Sequence, residues 1–214
     1  MKLSTSNQIR TNKQLFNIPL VTLVLLLINV CLYIILITFL NLYNEIIYNF
    51  GFIPAIFTYQ SGNFFQYFVS PFSHIFLHAD FTHILLNMIM LVTFGSIIEK
   101  NYGKKYFLLL FFLSALSGIL FHYIIYIEST FPVIGSSGAI SGLFGSALFL
   151  INKTKTKKKF SSIKTIVFLW IGITVISGFF DIFPAYDSNS IAWAAHVGGF
   201  IAGILITRLF KKIV

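Results

Sequence analysis

The sequence predicts an all-α membrane protein with six transmembrane helices. Of its 214 residues, 57% are hydrophobic and only 10% are charged, whereas a typical soluble domain carries about 25% charged residues. Long apolar runs and a one-sided distribution of basic residues point to the same class. This composition excludes a disordered chain, a coiled coil and a soluble globule. The single cysteine, Cys31, also excludes an intrachain disulfide scaffold.

Six apolar segments are long enough to be candidate spans, since a spanning helix needs about 20 such residues. They lie near 18–40, 82–99, 106–127, 137–152, 163–180 and 192–209. The first lacks a small-x-small cleavage site and is too long for a signal peptide, so we interpret it as a retained anchor. The expected organisation is a short cytoplasmic tail (1–17), one six-helix domain (18–210) and a second tail (211–214).

The charged residues orient these spans. All 15 Lys and Arg residues lie before the first span, between the second and third, between the fourth and fifth, or at the C-terminus. Five of the six acids lie in the opposite connections, namely Glu45, Asp80, Glu128, Asp181 and Asp187. The positive-inside rule then predicts that both termini are cytoplasmic. The net charge of +9 is therefore assigned to topology and lipid headgroups, not to nucleic acid.

Strongly polar residues within spans are costly and mark functional sites by default. His83 and Asn87 lie early in the second span, Ser137 opens the fourth and His196 lies early in the sixth. All three spans run from outside to inside. With a rise of about 1.5 Å per residue, Asn87, Ser137 and His196 lie about 18–24 Å above the basic residues that close their spans. A nucleophile, a base and an amide are thus expected in one layer near the outer face.

Small residues next to these groups predict close helix packing. Gly138, Gly142 and Gly145 follow Ser137, and Gly199 and Gly203 follow His196. Small residues four apart let two helix backbones approach closely, as a hydroxyl and an imidazole must to come within about 3 Å. Ser137 also begins a helix, so its amide is unpaired there and can stabilise an oxyanion.

The other polar and aromatic features are expected to be less informative. His74 and His78 precede the second span, and His122 is expected at the membrane interface near the outer end of the third. The connection 41–81 is aromatic and almost uncharged, which indicates a loop half-embedded at the membrane surface.

Together these residues resemble the rhomboid family of intramembrane serine proteases. The matching motifs occur in order from about Asn63 to Gly203. They are His78-x4-His83-x3-Asn87, Gly95-x3-Glu99-x3-Gly103, Gly135-Ser136-Ser137-Gly138 and Ala195-His196-x2-Gly199-x3-Gly203.

The resemblance implies a rhomboid-like six-helix bundle with a cavity open to the outer side. It implies that Ser137 is the nucleophile and His196 its general base, without a carboxylate. His83, Asn87 and the Ser137 amide would form the oxyanion hole. Neither a metal nor another cofactor is expected, and substrates would be single-span membrane proteins.

Two positions depart from the family pattern. The first outer loop lacks the usual Trp-Arg pair, and Gln66-Tyr67 is the nearest candidate replacement. The residue four positions after the serine, often aromatic, is Ser141. Asp181 and Asp187 remain weak candidates for a third triad member.

Two alternatives to a protease remain at this point. One is a catalytically silent member of the same superfamily that binds client transmembrane helices. The other is a proton-coupled transporter using His83 and His196, which predicts an inverted repeat that the sequence does not show.

Overall fold

The computed structural model describes residues 18–151 and 193–213. Within these ranges the chain is helical apart from its connections and one isolated β-bridge. The helices are α1 (Leu20–Thr38), α2 (Tyr43–Phe50), α3 (Pro54–Tyr59), α4 (Ser70–Ser73), α5 (Phe81–Tyr102), α6 (Lys104–Ile125), α7 (Ser137–Ile151) and α8 (Trp193–Ile213). The predicted span 163–180 lies outside the described residues, as do Asp181 and Asp187.

The long helices agree with the predicted spans to within a few residues. Among the described residues, α1, α5, α6 and α8 are long and apolar enough to cross a membrane, and α7 is a shorter apolar helix. The protein is therefore an integral membrane protein with an all-helical fold in its described part.

Local sequence explains where α5 and α6 begin. Asp80 caps α5, because its carboxylate accepts a hydrogen bond from the His83 amide at 2.8 Å. Gly103 separates α5 from α6 with a φ of 83°, a conformation that favours glycine. Within α5, residues Leu91–Gly95 form a π-helical turn.

A buried carboxylate joins α1 to α5 at the end where the basic residues lie. The Glu99 side chain accepts hydrogen bonds from the Val21 amide at 3.0 Å, the Thr22 amide at 2.8 Å and the Thr22 hydroxyl at 2.9 Å. Glu99 thus caps the first turn of α1, whose amides have no intrahelical acceptor. It is the one acid that the charge partition left on the basic side of the membrane.

The connection between α1 and α5 is more ordered than the predicted loop. It contains α2, α3, a π-helical turn (Phe65–Val69) and α4. Phe64, Phe68 and Phe72 follow one another at four-residue spacing and are exposed, which is consistent with a surface that faces lipid.

The Gln66-Tyr67 pair anchors this connection through neutral hydrogen bonds. The Gln66 side chain accepts from the Asn63 amide at 2.9 Å and donates to the Tyr48 carbonyl at 3.3 Å. The Tyr67 hydroxyl accepts from the Gly62 amide at 2.8 Å. These contacts hold the segment where the sequence lacks a Trp-Arg pair.

Candidate active site

The structure brings Ser137 and His196 into hydrogen-bond contact. Ser137 is the first residue of α7 and His196 the fourth of α8, and the hydroxyl oxygen lies 2.6 Å from the imidazole Nε2. The two residues are 59 positions apart in the sequence, so helix packing alone creates this contact. A hydroxyl and an imidazole in this arrangement are a nucleophile and a base within reach of each other.

Glycines allow α7 and α8 to approach this closely. A methyl group added at Gly199 would strike the Gly138 carbonyl group, and one added at Gly203 would strike that of Gly142. A methyl group at Gly145 would lie 2.6 Å from the Phe200 carbonyl oxygen. All five predicted packing glycines therefore lie at backbone contacts between the two helices that carry Ser137 and His196.

Three potential hydrogen-bond donors for an oxyanion come from α5 and the start of α7. As the first residue of α7, Ser137 has an amide without an intrahelical acceptor. One Asn87 amide hydrogen is donated to the His83 carbonyl at 2.8 Å, which leaves the second for another acceptor. His83 lies one turn earlier on α5, with its imidazole beside Gly135.

Gly135 and Ser136 shape this donor group, and the sequence interpretation gave neither a specific role. Gly135 has a φ of 107°, and a methyl group there would lie 2.6 Å from His83 Nε2. The Ser136 hydroxyl donates to the Asn87 side-chain oxygen at 3.3 Å. By binding the Asn87 side-chain oxygen, Ser136 fixes the direction in which the Asn87 side-chain nitrogen points. In the sequence, only the position of Ser136 next to Ser137 indicated a role for it.

The connection between α1 and α5 supports the segment that leads into Ser137. Phe52 and Val133 form an antiparallel bridge, with N–H to O=C distances of 3.1 and 2.7 Å. The Gly135 amide donates to the His74 carbonyl at 2.8 Å. The backbone on which the oxyanion donors depend is thus fixed by contacts with residues more than sixty positions earlier.

Two further histidines lie inside this connection. His74 is buried and its Nδ1 lies 3.1 Å from the Ser70 carbonyl oxygen. Burial lowers the pKa of His74 from 6.5 to about 4. His78 is also buried and packs edge-on against the His83 ring at 5.0 Å, and burial lowers its pKa to about 3. Both side chains are therefore neutral at pH 7.

The structure shows the surroundings of two further residues, His122 and Ser141. His122 was expected at the membrane interface, but its side chain is only 1% exposed and lies inside the bundle. Burial inside the bundle does not decide the depth of His122 in the membrane, so the expected depth stays a prediction. The Ser141 hydroxyl donates to the Ser137 carbonyl at 2.7 Å, so it bonds within α7.

Among the described residues, no group of three or more His, Cys, Asp or Glu side chains could hold a metal ion.

Comparisons with known proteins point to one family. A profile of the Rhomboid domain matches residues 62–213. The chain is 34% identical over 145 residues to RHOMBOID-like protein 1 of Arabidopsis thaliana, covering 65% of this chain and 33% of that protein. It is 30% identical over 179 residues to RHOMBOID-like protein 12, mitochondrial, of the same plant, covering 75% of this chain and 51% of that protein.

A bacterial relative matches a similar stretch. The chain is 30% identical over 129 residues to rhomboid protease GluP of Bacillus subtilis, covering 60% of this chain and 23% of that protein. The matched segments thus span about half or less of these three relatives.

Proposed function

Since the chain belongs to the rhomboid family, we propose that it is an intramembrane serine endopeptidase with a Ser137–His196 dyad. The observation that carries the proposal is the 2.6 Å separation of the Ser137 hydroxyl oxygen from His196 Nε2. Relatives named as proteases support the reaction class. The substrates we propose are single-span membrane proteins, cleaved in or near their transmembrane segments.

In the proposed reaction, His196 Nε2 accepts the Ser137 proton as the hydroxyl oxygen attacks a backbone carbonyl carbon. The carbonyl oxygen, as it becomes negatively charged, accepts hydrogen bonds from the Ser137 backbone amide, the Asn87 side-chain amide and the His83 ring. The proton on His196 passes to the leaving amine. Water then releases the acyl group and regenerates the Ser137 hydroxyl.

The helical state of the substrate limits this reaction. A carbonyl inside an α-helix already accepts a hydrogen bond from the fourth residue along, so the serine oxygen has no open approach to it. The substrate segment must therefore unwind near the cleaved bond. Helix-breaking residues are expected near the cleavage site for this reason.

For the whole chain we propose six spans with both termini in the cytoplasm and the site facing the outer side. The distribution of basic residues supports this topology. We propose a bacterial plasma membrane as the location, because that distribution fits it, although one plant relative is named mitochondrial. Fusions of a fluorescent reporter and a phosphatase reporter to each connection test the topology.

The test of the dyad uses two measurements on purified protein in vesicles. A fluorophosphonate probe reports a reactive serine, and a single-span reporter protein reports peptide-bond cleavage. We expect the parent to react in both assays, and Ser137→Ala and His196→Ala to lose both activities. Ser141→Ala is the matched control, since it removes a hydroxyl one helical turn from Ser137, and it is expected to retain labelling.

The result also separates the proposal from the silent alternative. A folded parent that neither labels nor cleaves, but still binds transmembrane helices, indicates a client-binding member of the superfamily. Equal labelling of the parent and Ser137→Ala contradicts the assignment of the nucleophile.

A further inference from the structure

Asp80 places a negative charge beside the proposed oxyanion donors. It is the N-cap of α5, and its Oδ1 accepts a hydrogen bond from the His83 amide at 2.8 Å. Its side chain is exposed and lies within electrostatic reach of the His83 ring and of Tyr33 on α1. An ionised carboxylate can accept several hydrogen bonds. The bond that caps α5 therefore leaves Asp80 able to pair with a cation from outside the chain.

In the proposed topology, no basic residue of this chain lies close enough to neutralise Asp80. Asp80 lies at the outer end of its span, whereas all 15 Lys and Arg residues lie before, between or after the spans on the other side. Lys100, on the same helix, is 20 residues further along the chain, which corresponds to about 30 Å of helical rise. Exposed charges are largely screened from each other beyond about 8–10 Å. The charge of Asp80 is therefore uncompensated on the outer side of the site.

The helical rise places Asp80 outward of the carbonyl that the serine attacks. His83 and Asn87 are the proposed donors to the oxygen of that carbonyl, and they follow Asp80 by three and seven residues. At about 1.5 Å per residue, Asp80 lies about 4.5 Å outward of His83 and about 10 Å outward of Asn87. An unwound substrate segment advances about 3.3 Å per residue. Asp80 is therefore level with the second or third substrate residue outward from the cleaved bond.

We propose that Asp80 is a specificity-determining residue, which favours Lys or Arg over Asp or Glu at the second and third substrate residues outward from the cleaved bond. This inference rests on the proposed protease function. A substrate cation at that level is attracted by the Asp80 carboxylate, and a substrate carboxylate is repelled. Attraction of one class and repulsion of another together give more discrimination than either alone. Asp80 takes no part in making or breaking the peptide bond.

Such a preference divides single-span proteins into unequal classes. Under the positive-inside rule, Lys and Arg concentrate on the cytoplasmic side of a span, so a basic residue just outside the outer end is the exception. The substrate class that the site selects is therefore a single-span protein with a basic outer flank. Proteins with acidic outer flanks are rejected by the same carboxylate.

The experiment measures kcat/KM for three single-span reporters in vesicles. The reporters differ only at the second and third residues outward from the mapped cleavage site, where both residues are Lys, Gln or Glu. The enzymes are the parent, Asp80→Asn and Glu128→Gln. Asparagine caps a helix about as well as aspartate, so Asp80→Asn removes the charge and keeps the cap. Glu128 is the control, because it is an acid on the outer side whose carboxylate is bonded to Tyr59 on α3.

We expect the parent to cleave the Lys reporter at least about threefold more efficiently than the Glu reporter, which is the size of effect that exposed charge pairs produce. Asp80→Asn is expected to bring the three values within about 1.5-fold of one another, and Glu128→Gln to keep the parental order. A parental Lys-to-Glu ratio in Asp80→Asn overturns the proposal, and so does an equal loss of the ratio in Glu128→Gln. Equal losses on all three reporters in Asp80→Asn also overturn it, because they indicate a purely structural cap.

Failure of the underlying function gives a different result. In that case the parent itself cleaves none of the three reporters and is not labelled by the fluorophosphonate probe, and the role of Asp80 falls with the dyad. If Asp80→Asn does not fold, Asp80→Ser decides, because serine is also a favoured N-cap and carries no charge. A parental Lys-to-Glu ratio in a folded Asp80→Ser protein overturns the proposal.

Discussion

Replacing Gly199 with alanine tests how strongly the dyad depends on close packing of α7 and α8. The added methyl group would strike the Gly138 carbonyl oxygen and would lie 2.9 Å from the carbonyl carbon. Both atoms belong to the backbone of α7, so no side-chain rotation can relieve the contact. Gly138→Ala is the matched control, because its nearest neighbour is the Ala195 carbonyl oxygen at 3.5 Å, an ordinary contact distance.

The difference between the two variants isolates the steric effect. An alanine in place of a helical glycine gains about 1 kcal/mol of helix propensity, and both variants share this gain. Overpacking a close contact costs about 1–3 kcal/mol, and only Gly199→Ala incurs it. We therefore expect Gly199→Ala to be less stable than Gly138→Ala by about 1–3 kcal/mol.

The free energy of unfolding is measured in mixed micelles by titration with sodium dodecyl sulfate, with helical circular dichroism as the signal. Labelling by the fluorophosphonate probe is measured on the same samples, and Gly199→Ala is expected to label more slowly because α8 carries His196 away from α7. Equal free energies of unfolding for the two variants would refute the packing argument.

Three further predictions concern the oxyanion donors, the cap of α1 and the buried histidines. Gly135→Ala forces a methyl group against the His83 ring at a φ of 107°, so fluorophosphonate labelling is expected to slow at least about tenfold, a loss of about 1.4 kcal/mol; a parental labelling rate contradicts the assigned donor. Glu99→Gln places a side-chain amide against backbone donors and is expected to lower the free energy of unfolding by about 1–3 kcal/mol. Thr22→Val loses only one hydrogen bond to Glu99 and is the milder control. An equal loss of stability in the two variants would be inconsistent with the cap. Burial lowers the pKa of His74 to about 4, so between pH 6.5 and about 4 the unfolded chain binds more protons than the folded chain. The free energy of unfolding therefore decreases as the pH decreases through this window, by up to about 1.4 kcal/mol per pH unit. Unfolding titrations at pH 7 and 4.5 are expected to show a smaller loss for His74→Gln than for the parent, and equal losses would exclude His74 as a source.

The spans within the described ranges were predictable because length, apolarity and charge position are properties of the chain alone. Ser137 and His196 could be chosen as candidate site residues for the same reason, since each is a polar residue within an apolar run. Their distance was not predictable, because it depends on the backbone contact between Gly138 and Gly199.

The details that the sequence did not reveal are either very short helices or contacts between residues far apart in the sequence. The helices α2, α3 and α4 are too short for a periodic pattern to reveal them. The hydrogen bond from Ser136 to Asn87 joins residues 49 positions apart. Glu99 did have a signal, because it was the only acid on the basic side, but its partners on α1 became visible only in the structure.

The cap that Glu99 provides also bears on the order in which the protein is assembled. Ribosomes deliver the chain from its N-terminus, so α1 reaches the membrane with its first amides unsatisfied and with Glu99 still to be synthesised. Pairing of α1 with α5 satisfies both partners at once, whereas α7 and α8, which carry the dyad, arrive later. The earliest paired unit, α1 with α5, thus carries the proposed oxyanion donors His83 and Asn87 but neither Ser137 nor His196, and the proposed nucleophile–base pair forms only after α8 has been added.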